Sequence, residues 1–299
     1  MRPEWWSEFL EGPGSFMSFD SDWDSATEVF FGVPMDFTAS FRPGSRMGPQ
    51  RLREVSYGIE EYSMPLDRDL RDIKVHDLGD IIIPFGNVPR SLQQIEKVAK
   101  AVVDEGKRSW AIGGEHLVSL PLIKAVRQRH DDLIVLHFDA HADLRYDYLG
   151  ERLSHATVMR RVSEMFHDGK KHIYQFGIRS GTKEEREYAK EHTHCFFGEV
   201  FEPLKQVAHE FKGKPVYISI DIDVVDPAFA PGTGTPEPGG ITSKELFQAI
   251  HYLKDEEINL VGFDLVEILP HQDASERTTI LGAKIIREAL LAFSPKKGA

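Results

Sequence analysis

The chain is poor in cysteine: Cys195 stands alone among 299 residues. An intramolecular disulfide and a cysteine metal cage are both excluded, and a reducing, cytoplasmic setting is expected. Basic residues are also short, 36 Lys and Arg against 48 Asp and Glu, for a net charge of -12. That balance argues against a nucleic-acid partner, which needs a basic face, and is compatible with a small cationic one. No window approaches the ~20 apolar residues of a membrane span. The opening stretch, MRPEWWSEFLEGPGSF, has no apolar run and carries acids early, so a secretory signal is not expected. Internal repeats and low-complexity segments are missing too. What remains is 41% hydrophobic and 28% charged, the composition of a globular protein with a sizeable core.

Residues 1–27 are acidic and aromatic, with Trp5, Trp6, Phe9, Phe16, Phe19 and Trp23. They read as an N-terminal arm laid on the body or on a neighbouring subunit. Residues 28–299 then alternate between apolar runs and helical spacing. Strands are predicted over 28–33, 73–78, 109–112, 133–143, 173–178, 193–197, 216–222 and 260–267. Helices are predicted over 49–57, 91–105, 119–128, 156–166, 183–191, 201–211, 243–254 and 278–293. No linker interrupts them, which predicts one α/β domain with a central parallel sheet.

The informative stretch is Leu133 to Asp143, LIVLHFDAHAD. An apolar run of the buried-strand kind ends in Asp139, His141 and Asp143. Residues two apart in an extended segment share a side, so the strand end is expected to project all three together. Asp221 and Asp223 repeat the spacing after VYISI, and His116 ends a third strand within Gly113-Gly114-Glu115-His116. Open α/β sheets place ligands at such carboxyl ends. Four aspartates gathered there would repel unless cations paired with them. Two divalent ions balance the charge. Carboxylate with some imidazole and no thiolate suits Mn²⁺, with Ni²⁺, Co²⁺ or Zn²⁺ as substitutes. Two such metals hold a bridging water and lower its pKa, giving a hydroxide nucleophile without serine or cysteine. His137 shares the face of Asp139 but lies deeper, and reads as a supporting histidine. Asp226 and Asp264 are further supporting candidates, and Cys195 reads as a small buried filler.

These segments resemble the signatures of the ureohydrolase family, which includes arginases, agmatinases and guanidino-acid hydrolases. Asp139-Ala140-His141-Ala142-Asp143, Gly113-Gly114-Glu115-His116 and the run from Ser219 to Pro227 carry the likeness. So do Gly32 to Asp36, Arg42-Pro43-Gly44, Ser154 to Thr157, Gly177 to Ser180 and Gly232 to Pro236. The resemblance implies a three-layer α/β/α arginase-like fold. It implies that His116, Asp139, Asp143 and Asp221 hold one Mn²⁺, and that His141, Asp139, Asp221 and Asp223 hold the other. Asp143 would also orient the bridging hydroxide. Glu267 would bind the guanidinium and His155 would shuttle protons, alternatives to a surface ion pair and a plain loop histidine. Homo-oligomers, trimers or hexamers, are implied as well.

The same resemblance leaves the substrate to the loop Leu144 to Leu153. Arginases read an α-amino acid there with an Asn/Ser-rich pattern that this loop lacks. Agmatine, with only an amine at its far end, is therefore the expected substrate, giving putrescine and urea in polyamine synthesis. Asp147 or Glu151 could attract that amine. Arg145 either neutralises local acids or pairs with a carboxylate, as a guanidinobutyrate hydrolase would need. Guanidine and arginine are further alternatives, and a non-catalytic binding protein on the same scaffold is the alternative from another class.

Overall fold

The structure, a computed structural model, describes residue 6 and residues 8–11, 15–19 and 21–296. Trp5, counted above among the arm's aromatics, lies outside the described residues. A two-residue strand, β1 (Leu10–Glu11), precedes β2 (Glu28–Val33). Helix α1 (Gly48–Ser56) opens on Pro49, whose missing N–H costs nothing in a first turn. A small hairpin, β3 (Tyr62–Ser63) with β4 (Arg68–Asp69), leads to β5 (Val75–Ile81). Helix α2 (Val88–Asp104) is capped by the Asn87 side chain and followed by Gly106 at φ +72°. Strand and helix then alternate: β6 (Arg108–Gly113), α3 (Ser119–Arg127), β7 (Ile134–Phe138), α4 (Val158–Ser163), β8 (Ile173–Ile178) and α5 (Lys183–His192). They are followed by β9 (Thr193–Phe197), α6 (Phe201–Val207), β10 (Pro215–Asp221), α7 (Ser243–Asp255), β11 (Asn259–Val266) and α8 (Arg277–Phe293).

The large sheet has the order β1-β5-β2-β6-β11-β10-β7-β8-β9. Every pair in it is parallel except β1 with β5. A parallel sheet must be covered on both faces. Leu52 of α1, Leu204 of α6, Leu246 and Ile250 of α7 and Ile285 of α8 pack on one face, against Trp110, Leu136 and Ile218. Ile95 and Val102 of α2, Leu122 of α3, Val162 of α4 and Ala189 of α5 pack on the other, against Phe31, Val135 and Tyr217. Each helix buries the apolar stripe of its 3.6-residue period. The result is the three-layer α/β/α arrangement.

The antiparallel edge strand β1 and the β3–β4 hairpin were not expected. Two-residue strands carry no readable periodicity, so only their partners reveal them. β1 brings part of the aromatic arm onto the body: Trp6 and Trp23 are buried with ring centroids 4.6 Å apart, and the Phe16 ring lies tilted 5.1 Å from that of Phe30.

Candidate metal centre and active site

Strands β6 and β7 are consecutive in the main sheet's chain order, yet β11 and β10 stand between them. The winding reverses there, which is where a doubly wound sheet opens a crevice beyond its strand ends. Four adjacent strands deliver the functional side chains to it. Beyond β6 lies His116, beyond β11 Glu267, at the end of β10 Asp221, and beyond β7 Asp139.

All six expected ligand residues meet. His116 Nδ1 lies 3.0 Å from Asp139 Oδ2 and 3.3 Å from both Asp143 Oδ2 and Asp221 Oδ2. His141 Nδ1 lies 2.9 Å from Asp223 Oδ2 and 3.6 Å from Asp139 Oδ1. Asp139 therefore faces both imidazoles with its two oxygens. Asp221 reaches the His116 group through Oδ2, while its Oδ1 accepts the Asp223 N–H at 2.9 Å.

The convergence is not achieved by an extended strand end, as the spacing predicted. β7 stops at Phe138, and Asp143 sits at φ +54°; β10 stops at Asp221, with Asp223 in a short turn over residues 222–224. Along an extended strand Asp139 and Asp143 would stand about 13 Å apart, too far for both to reach His116 Nδ1. The chain must curl, and it accepts a left-handed residue at Asp143 to do so. Hydrogen bonds hold the curl: His141 N–H to Asp139 Oδ1 at 2.5 Å, Ala140 N–H to Asp223 Oδ1 at 3.0 Å, and Arg160 N–H to the Asp143 carbonyl at 3.1 Å.

The donor set fits divalent cations. His116 Nδ1 and Asp223 Oδ2 are buried without a hydrogen-bond partner among the described residues, although carboxylate oxygens surround the first and an imidazole nitrogen faces the second. Buried polar atoms ordinarily find partners; a cation between them supplies one to both. Protonation of the cluster follows the same logic. Burial pulls the His141 imidazole down, but the Asp223 and Asp139 carboxylates outweigh it and push it up to about 12. His116 is held well above its ordinary value by Asp139, Asp143 and Asp221, again against burial. Burial and the Asp139 charge push the Asp143 carboxyl up, and burial with Asp223 and Asp139 does the same to Asp221. Asp139, facing three imidazoles, goes the other way despite its burial. A concentration of negative charge is drawing in whatever positive charge it can find.

Behind the cluster runs a polar row that the sheet register creates. Gln175, His137, Ser219 and Asp264 are cross-strand neighbours on β8, β7, β10 and β11. His137 Nε2 lies 2.8 Å from Asp139 Oδ2, with Gln175 Nε2 3.1 Å from its Nδ1. His137 is within reach of the first ligand group, yet both ring nitrogens are engaged, so it orients Asp139 rather than completing that group. Ser219 Oγ lies 3.0 Å from His116 Nε2 and donates to Asp264 Oδ1 at 2.7 Å, while Tyr217 donates to Asp264 Oδ2 at 2.7 Å. Such partners fix the tautomer and tilt of a metal-binding imidazole. Asp264 thus supports the centre. Asp226 does not touch it; its carboxylate holds the N–H groups of Ala228, Gly239 and Gly240 and shapes the loop after β10.

Glu267 lies beside the cluster, buried, at φ +62°, with Oε1 accepting the His116 N–H at 2.9 Å. Burial and the neighbouring Glu115 charge push its carboxyl up. Glu115 is fully buried and pushed up to about 7 for the same first reason. His155 opens a short helical turn over residues 155–157 and is pushed down to about 4, by burial and then by the positive imidazoles of His141 and His116.

In the loop from Leu144 to Leu153, Asp147 Oδ1 accepts the Gly150 N–H, and Glu151 pairs by its backbone with Tyr148. Arg145 points its Nε to within 3.8 Å of Glu185 and lies over the Tyr148 ring. Cys195 is half-buried on the edge strand β9, less enclosed than a core filler, and burial pushes its thiol up to about 12.

Sequence reasoning gave no role to Glu115, Ser219, Gln175, Thr38 or Ser40. For Ser219 a signal existed, since it precedes Asp221 by two on one strand face. Arg179 was quoted only within a motif. Its guanidinium donates to the carbonyls of Asp223 (2.6 Å), Val224 (3.3 Å), Gly177 (3.2 Å) and Glu237 (2.6 Å), locking the turn that carries Asp223.

The sequence profile of the arginase family matches residues 26–292. The chain belongs to the arginase family. Within it, the agmatinase of Bacillus subtilis (strain 168) is 53% identical over 279 residues, 93% of this chain and 96% of that protein. Two solved structures of similar fold extend the comparison. The agmatine ureohydrolase of Thermoplasma volcanium is 31% identical and superposes with a TM-score of 0.84 over 95% of each chain. The proclavaminate amidino hydrolase from Streptomyces clavuligerus is 30% identical, with a TM-score of 0.86 over 95% of this chain and 98% of its own. As an arginase-family member the chain is a metal-dependent ureohydrolase acting on a C–N bond, and its His/Asp cluster is consistent with the family's dinuclear centre.

Proposed function

We propose that this protein hydrolyses agmatine to putrescine and urea at a dinuclear manganese centre. The observation that carries the reading is the crowding of three carboxylate oxygens around His116 Nδ1, with Glu267 joined to the same residue's N–H. The kinship with the Bacillus subtilis agmatinase supports agmatine over other guanidino compounds. His116, Asp139, Asp143 and Asp221 would hold one ion, and His141, Asp139, Asp221 and Asp223 the other. When bound, the two ions supply Lewis acidity and a water acidic enough to attack at neutral pH.

The protein's own groups do the rest. Glu267 accepts parallel hydrogen bonds from the planar guanidinium, a charge-assisted pairing that turns the central carbon toward the cluster. Its Oε1 already takes the His116 N–H, so the acceptor is fixed relative to a metal-binding residue. Asp143, held by its curled backbone, orients the attacking water. His155 exchanges protons at the leaving nitrogen, which must depart as an amine. Arg145 is directed at Glu185, and this supports a substrate tail without a carboxylate.

The reading extends to a cytoplasmic homo-oligomer, trimer or hexamer, serving polyamine biosynthesis, with residues 28–299 as the catalytic domain and 1–27 as its arm. Its cytoplasmic part is supported by the single cysteine. The test is urea release from agmatine, guanidinobutyrate, guanidine and arginine by protein reconstituted with Mn²⁺. Agmatine is expected to be preferred; equal or better turnover of another compound overturns the substrate assignment.

A further inference from the structure

One loop reaches across the crevice and grips His155 from outside its own element. It runs from Asp36 to Met47 and is closed on itself by the buried Asp36 carboxylate, which accepts the Gly44 N–H at 2.6 Å and pairs with Arg46 Nε at 2.8 Å. Gly44, at φ +126°, has no room for a side chain against His271. Thus stapled, the loop presents Thr38 and Ser40. The Thr38 N–H donates to Glu115 Oε2 at 2.6 Å, which ties the loop to the residue before His116. Thr38 Oγ1 accepts the His155 N–H at 2.9 Å. Ser40 Oγ lies 2.9 Å from His155 Nε2. Backbone and ring of one histidine are thereby fixed by two hydroxyls. Ser154 caps the histidine's turn from the other side, in a capping box with Thr157.

The two hydroxyls differ in setting. Thr38 is half-buried and faces a backbone N–H, whereas Ser40 is exposed and faces the imidazole. A hydroxyl both donates and accepts, so one placed between a ring nitrogen and solvent passes a proton without moving a heavy atom. We propose that Ser40 is the solvent-side proton relay of His155, with Thr38 and Glu115 as positioning residues that hold the histidine to it. The inference rests on the reading of His155 as the proton carrier. As neutral His155 passes the proton of its other ring nitrogen to the leaving amine, Ser40 Oγ–H donates to Nε2, so the ring stays neutral and changes tautomer. The same Oγ takes a proton from a buffer acid or water at the mouth. The proton shed by the attacking water returns to bulk, so a guanidinium and water become urea and an ammonium with no net proton change.

The experiment compares wild type, Ser40→Ala, Ser40→Thr and Thr38→Val in Mn²⁺-reconstituted protein. Loss of the relay in Ser40→Ala is expected to lower kcat about tenfold, a fraction of the ~10²–10⁴-fold that a complete general acid–base group supplies, with KM and metal content unchanged. Added imidazole buffer should restore the rate in a saturable way, and Ser40→Thr should behave as wild type. Thr38→Val is expected to lower kcat without answering to imidazole. A Ser40→Ala rate equal to wild type, or a loss that imidazole does not repair, overturns the relay. Failure of wild type on agmatine would instead strike the substrate assignment, so the contact is also read without turnover. In Mg²⁺-loaded protein the ¹⁵N signal of His155 Nε2 should shift in Ser40→Ala and stay in Ser40→Thr. An unmoved signal in Ser40→Ala refutes the contact itself.

Discussion

Glu267→Gln separates a substrate-binding acid from a structural one. The replacement keeps the side chain's shape and an oxygen to accept the His116 N–H, now at 2.9 Å from Oε1. It removes the negative charge and sets an amide NH₂ against the N–H groups of a guanidinium, donor facing donor. Hydrogen bonds to charged groups are worth about 1.5–3 kcal/mol each, so losing one bidentate partner is expected to cost about 10- to 150-fold in kcat/KM at 1.4 kcal/mol per tenfold. Stability should move the opposite way. Glu267 is only 5% exposed, and burial and Glu115 raise its carboxyl. A carboxyl raised on folding is a destabilising charge at pH values above its unfolded range. In metal-free protein Gln should therefore raise Tm or leave it unchanged at pH 8. The assay is urea release at saturating Mn²⁺ with metal content by elemental analysis, alongside thermal melts. Full activity removes Glu267 from the mechanism. Lost activity accompanied by lost metal and a lowered Tm refutes the reasoning, because Glu267 would then be holding up the site rather than the substrate.

Asp139→Asn and Asp221→Asn are expected to lose bound metal and activity together; full metal stoichiometry in both would contradict their assignment as ligands. Ser219→Ala removes the hydroxyl between His116 Nε2 and Asp264, and Mn²⁺ affinity measured by titration should fall about tenfold or more; unchanged affinity would make that link incidental. Stripping the metal should make stability fall with rising pH. His141, raised to about 12, contributes stability fully present below about 6.5, its unfolded value, and lost as pH climbs toward 12. The raised Asp143 carboxyl adds a loss of the same sign, while the lowered His155 acts only below about 6.5. Metal-free Tm should thus drop between pH 7 and 9, by about 2 °C per kcal/mol, whereas Mn²⁺-loaded protein should not follow; a flat metal-free profile counts against the raised imidazoles.

The alternation of apolar runs with helical spacing was enough to read the fold, because a parallel sheet buried on both faces writes itself as uninterrupted hydrophobic strands such as Leu133 to Phe138. The His/Asp cluster was equally legible. A cluster of four aspartates and two histidines at strand ends has no packing use, so its chemistry shows in residue type alone. What spacing misjudged was conformation. Asp139, His141 and Asp143 share a direction only because the backbone leaves the strand and turns left-handed at Asp143, and period-two reasoning cannot see a bend.

Short elements and long-range partners were beyond the sequence for a related reason. β1 and the β3–β4 hairpin are too brief to carry a period, and become strands only through their neighbours. Gln175, His137, Ser219 and Asp264 form one row because strand order and register put them level, although 127 positions separate His137 from Asp264. Ser40 meets His155 across 115 positions. The sequence by itself determined the sheet, its two covered faces and the kind of chemistry at its edge, since burial and charge are properties of residue type and local pattern. Only the tertiary structure decided which groups support the His/Asp cluster and which hydroxyl faces His155, since those are matters of a few ångströms between segments that only the folded chain brings together.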